Sequence, residues 1–153
     1  MKDQIVWRPG ATGVWFPANV LEVTNRGMEM SLRLQQRFHD DLQVDGGALW
    51  TFTDSRDTES LRLVPRHQIK TYSDMQWRFL ALQIGARYHG TQFVAEDAQM
   101  DPIFLMDAHV RLHFDPITVR LILENALDAR YEYVPGNPMA PRSIRLDLSF
   151  SIR

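Results

Sequence analysis

Two stretches of this chain alternate apolar and polar residues without a break, and that rhythm confines them to extended strands with two unlike faces. In the first, Met28, Met30, Leu32 and Leu34 alternate with Glu29, Ser31, Arg33 and Gln35. In the second, residues 143–152, Ile144, Leu146, Leu148, Phe150 and Ile152 share one parity. A helix would scatter these side chains around its circumference. A strand with one face on a core and one in water keeps them apart.

The rest of the chain reads in the same key. Ile5 to Arg8 is a short apolar strand, and Pro9-Gly10-Ala11-Thr12-Gly13 is a turn by composition. Residues 14–24 are rich in β-formers, and Thr24-Asn25-Arg26-Gly27 predicts a second turn. Residues 39–47 are polar and end in glycine, which predicts a loop. Strands follow at 49–53, 59–64 and 69–72, with a turn at 54–58 and a single 3₁₀ turn at 65–68. Ser73 and Gln76 fit a capping box, so residues 73–81 are expected to open with a helical turn. Residues 84–94, 103–114 and 117–123 read as strands, with a loop at 95–102. Residues 131–134 would be the hairpin partner of 117–123, and 136–141 is a proline-rich loop.

Composition removes several classes. The hydrophobic fraction is 44%, sufficient for a packed core, and the formal net charge is −2, too small to draw the chain onto nucleic acid. There is no cysteine, so disulfides and thiolate metal sites are excluded. The start MKDQIVWRPG lacks the apolar run of a signal peptide, and no apolar segment is long enough for a spanning helix. An intracellular protein without a membrane partner is therefore expected. His109 and His113 lie four apart, yet no third ligand accompanies them, and no metal or cofactor is expected. Asp40, Asp41, Asp54 and Asp57 sit in predicted turns. No nucleophile elbow and no glycine–lysine phosphate loop occurs, so the expectation is a non-enzyme.

The segment Gly13-Val14-Trp15-Phe16-Pro17-Ala18-Asn19-Val20, with Trp50-Thr51-Phe52-Thr53-Asp54 and Leu61-Arg62-Leu63-Val64, resembles the opening, middle and closing strands of a Tudor barrel. Trp77, then Leu82-Gln83-Ile84-Gly85, Phe104-Leu105-Met106-Asp107-Ala108-His109-Val110 and Leu127 to Val134 resemble a second one. Their order is similar to the tandem Tudor domain of the UHRF (ubiquitin-like, PHD and RING finger) family. The resemblance implies a mainly β fold of two consecutive SH3-like five-stranded barrels packed together, over residues 1–72 and 73–153.

It also implies a nuclear chromatin reader that binds a histone H3 tail, methylated or not at its ninth-residue lysine, in a groove between the barrels. Methylammonium would be held by aromatic faces through cation–π attraction. Phe16 and Phe52 fall on cage positions and Asp54 on a neighbouring acid, with Trp50 and Trp7 available to complete the cage. Trp77, Tyr88 and Leu105 would line the groove. The third cage ring falls on Ser55, and an expected acid on Pro9, so the cage is degenerate. Trp15, of opposite parity to Phe16, is expected in the core. The alternative is a structural subunit of a larger assembly, such as a phage tail or neck. It rests on the long alternating strands and on arginine outnumbering lysine, of which Lys2 and Lys70 are the sole examples.

Overall fold

The structure, a computed structural model, describes residues 2–9, 14–22, 24–38, 41–55, 63–95 and 98–151. Every regular element in it is a strand. Strands β1 (Lys2–Pro9) and β2 (Trp15–Glu22) form a hairpin of their own. Strands β3 (Asn25–Phe38), β4 (Leu42–Ser55), β5 (His67–Trp77), β6 (Leu80–His89), β9 (Ile103–Phe114), β10 (Ile117–Glu124) and β11 (Ser143–Phe150) build one seven-stranded antiparallel sheet. Its order is β11-β10-β9-β6-β5-β4-β3, an up-and-down meander. A small hairpin, β7 (Gln92–Ala95) with β8 (Ala98–Met100), is inserted between β6 and β9.

The sheet is paired in unbroken register from one edge to the other. One residue row runs Val44, Met75, Leu82, Val110, Leu121 and Leu146 across β4 to β11. The adjacent row, one step along each strand and on the other face, runs Asp45, Asp74, Gln83, His109, Ile122 and Arg145. The first face is apolar apart from Gln36, His67, Thr71 and Ser73, and the second is mostly polar.

Among the described residues neither face is covered by a second layer of strands, and only the long-loop rim of the polar face is covered, by loops. Beyond marginal touches, strands contact only their hydrogen-bonded neighbours. The accessible surface is 11400 Å², where a globular protein of this mass would expose roughly 8,000 Å². Among the described residues the buried apolar side chains are Ile103, Leu105 and Pro65.

Two SH3-like barrels are therefore not what the chain forms. The fold is mainly β, as expected, but the sheet is open, with β3 and β11 as its edges. The junction of residues 72 and 73 lies inside β5. Residues 42–47 continue β4 where a loop was expected, and residues 73–77 continue β5 where a helical turn was expected. Asn25, Arg26 and Gly27 belong to β3. The partner of β10 is β11, while residues 131–134 hold only an isolated bridge, Glu132 to Pro138. The turn at residues 10–13 and most of the strand expected at 59–64 fall outside the described residues.

Candidate functional site

The functional surface is the sheet itself, and its two ends differ. At one end the connections are minimal: Arg78-Phe79 joins β5 to β6, and Asp115-Pro116 joins β9 to β10. Residues 39–41 join β3 to β4 at the same end. At the other end the connections span 56–66, 90–102 and 125–142. Short connections thus gather at one rim and long ones at the other.

The apolar face carries no Asp, Glu, Lys or Arg on β3 to β11 between the rows of Met28 and Phe114. Leu32, Leu34, Ile144, Leu146 and Leu148 are each at least 60% exposed, which in water would cost heavily and in lipid costs nothing. From Phe104 to Phe114 the contour is about 33 Å at ~3.3 Å per residue. Tilted by ~40°, it rises about 25 Å, the height of an outer-membrane apolar band. Aromatic side chains gather at the tight-turn rim. Phe38, Trp77, Phe79, Phe114 and Phe150 are all exposed there, and Phe79 lies 4.9 Å from Phe114. Rings at that level suit a lipid–water interface.

The polar face is tied together by ion pairs across strands. Arg33 meets Asp45 at 3.2 Å, and the Tyr72 hydroxyl donates to the other oxygen of Asp45 at 2.9 Å. Arg87 meets Asp107 at 2.8 Å. Tyr72 can reach Asp45 because Gly47 lies beneath its ring: a Cβ on Gly47 would sit 2.6 Å from the ring edge. At the tight-turn rim, Arg78 bonds Asp41 at 3.0 Å and faces the Trp77 ring at 5.8 Å.

At the long-loop rim the polar face is roofed. Leu105, 1% exposed, and Ile103 are the most deeply covered side chains of the described sheet. Gln92, buried, donates to the Tyr133 carbonyl at 3.2 Å. Asn125, also buried, exchanges hydrogen bonds with Ala129, donating to its carbonyl and accepting from its N–H, each at 2.9 Å. Its own N–H donates to Asp107 at 2.9 Å. The loop from 125 is thus anchored to the acid that also holds Arg87. Burial raises the Tyr131 phenol above its ordinary pKa, and Tyr133 adds to this, so it remains a neutral donor. A groove of about 600 Å³ opens beside it, between Met100, Phe104, Tyr131 and Met139.

The residues singled out from the sequence are dispersed over this wall. Trp50 and Phe52 are neighbours on the apolar face, with ring centroids 6.4 Å apart, and His67 stacks 5.9 Å from Trp50. Asp54 is paired with Arg66 at 3.4 Å. Trp7 and Phe16 stand exposed on the separate β1–β2 hairpin, and Trp15 is 47% exposed rather than in a core. Trp77 and Tyr88 share the apolar face at opposite rims, while Leu105 points from the polar face. His109 and His113 stand on the polar face, the latter 2.8 Å from the Thr118 hydroxyl. Sequence reasoning missed Arg33, Asp45, Tyr72, Arg87, Asp107 and Asn125. Their parity, opposite to the apolar set on each strand, is the signal that finds the polar-face residues.

A strand wall with one lipid-type face, one polar face and unequal rims defines a membrane-barrel protein. The chain belongs to the family of TonB dependent receptor-like β-barrels, whose model matches residues 1–126. Two solved structures are similar. One is FpvA of P. aeruginosa bound to a heterologous pyoverdine with iron, at TM-score 0.64 and 13% identity, over 96% of this chain and 23% of that one. The other is the complex of FpvAI with pyocin S2, at TM-score 0.61 and 12% identity, over 95% of this chain and 22% of that one. The chain thus spans less than a quarter of either. No curated protein matches the sequence.

Family membership overturns the tandem Tudor resemblance, and with it the histone-tail partner, the chromatin-reader function and the nuclear location. The phage-subunit alternative finds no support in it either. The expectation of no membrane partner failed for a physical reason. It asked for a spanning helix, and among the described residues no helix is long and apolar enough, but strands cross with about 9–11 residues each.

Proposed function

We propose that this chain forms a stretch of the wall of a receptor barrel in the bacterial outer membrane, and that the long-loop rim contributes to capture of an iron-bound siderophore from outside. The parity of the seven-stranded sheet carries the reading: a charge-free apolar face on one side and cross-strand ion pairs on the other. The ligand class rests on FpvA, which is similar in fold and binds a pyoverdine with iron. The wall makes and breaks no covalent bond in this role, and the protein is a non-enzyme.

Membrane fractionation of the full-length protein, with gel mobility compared before and after boiling, tests the barrel. Recovery in the outer membrane with faster migration of the unheated sample is expected, because a closed barrel resists detergent. Recovery in the soluble fraction would sink the proposal. Iron–siderophore uptake by cells lacking the gene, with and without a restored copy, tests the ligand class.

A further inference from the structure

On the polar face, Arg111 of β9 stands directly opposite Arg120 of β10. Like charges facing each other across an antiparallel pair repel. Their other neighbours in the row form no ion pair with either guanidinium. Ala81 flanks Arg111, and Asp147, which flanks Arg120, is already engaged by Arg145 at 3.5 Å. Among the described residues no acid lies within ion-pair distance of either guanidinium. His109 and His113 are the next residues of the same face on β9, and Asp74 is the sole acid lining the hollows there. Those hollows, of about 290 and 230 Å³, both have Arg111 and Arg120 in their walls.

We infer that the Arg111–Arg120 pair is a docking point for a carboxylate on a polypeptide segment filling the barrel interior. This rests on the barrel reading, which makes the polar face the interior. Two guanidiniums one strand apart can each donate to one carboxylate, and its charge removes their repulsion. The interior of large barrels of this type is plugged, so a segment is available to supply the acid. Charge complementarity selects an acidic segment: this part of the face holds Arg111, Arg120 and Arg145 with two histidines against Asp74 and Asp147, and Asp147 is engaged by Arg145.

The test is ion conductance of the full-length protein reconstituted in planar bilayers, with thermal melting alongside. Arg111→Gln with Arg120→Gln should raise the frequency of open, leaking channels roughly tenfold, as expected for loss of one charge-assisted contact. It should also lower the melting midpoint. Charge reversal to Glu at both positions should leak more, and Lys at both should stay closed. A Gln pair that leaves conductance unchanged and raises the midpoint, as simple relief of repulsion would, overturns the inference. Where the Glu pair fails to fold, the Gln and Lys pairs carry the comparison. Absence of boiling-dependent mobility in the parent protein would instead strike the barrel reading, and this inference with it.

Discussion

Leu82 and Gln83 are adjacent in the chain and inhabit different solvents. Leu82 sits in a row whose other members on β4 to β11 are valine, methionine and leucine, and Gln83 in a row holding two aspartates, a histidine and an arginine. Exposure does not separate the two faces, since leucines of β3 are as open as its arginines. Chemistry does. In lipid no hydrophobic driving force pulls an exposed leucine inward, and a charge there has no water to face. On the interior face, charge is affordable provided each ion finds a partner.

The sharpest way to break this contrast is to place the same residue on both faces. Leu82→Arg should destabilise the folded barrel by about 2–4 kcal/mol, the range for arginine near the bilayer midplane. Gln83→Arg, one residue on, should lie within ~1 kcal/mol of the parent. Denaturant titration in lipid vesicles measures both, and equal costs would erase the assignment of faces.

A smaller effect should follow from opening the covered end of the polar face. Asn125→Ala removes three side-chain hydrogen bonds and leaves part-buried backbone groups of Ala129 without their asparagine partner. The replacement must also hold a left-handed φ of 49° that asparagine tolerates better. Local stability should fall by about 1–3 kcal/mol. Hydrogen exchange should quicken over residues 125–142 and remain slow in β4 and β5.

Two glycines flank Tyr72 on the polar face and should respond oppositely. Gly47→Ala drives a methyl into the Tyr72 ring and to 3.0 Å from the Leu32 carbonyl, so stability should drop by about 1 kcal/mol. Gly85→Ala meets nothing nearer than 3.8 Å and should gain roughly 0.4–1 kcal/mol through the unfolded chain. Thermal midpoints of the two variants decide it. Arg78→Ala, which removes an exposed pair with Asp41 at the tight-turn rim, should cost only ~0.2–1 kcal/mol, less in high salt.

The strands at 28–35, 103–114 and 143–150 were legible because two-residue alternation is a local property. What the apolar parity faces is not local. Met28 to Leu34 would look the same against a protein core as against lipid, and a water-soluble reading turned the sheet into two small barrels. Gly46 and Gly47 invited a loop by composition, whereas Gly47 is a strand residue that makes room for a ring 25 positions later. Ser73 and Gln76 match a capping pattern, but pairing with Gly46 and Gln43 on one side and Ile84 and Ala81 on the other holds them extended. Of the polar-face site, Arg33 lay in plain view in the first alternating stretch. Asp107 and Asn125 did not, because their partnership joins residues 18 apart through a strand pair and a loop.

The unbroken register has an evolutionary side. Across the six pairings of the large sheet there is no bulge to absorb an extra residue. A single codon gained or lost within β6 would exchange lipid and interior side chains for the remainder of that strand, much as a frameshift scrambles a message. Added or lost residues are expected to cost least in the connections 56–66, 90–102 and 125–142, where no pairing of the large sheet is at stake and the wall below keeps its count.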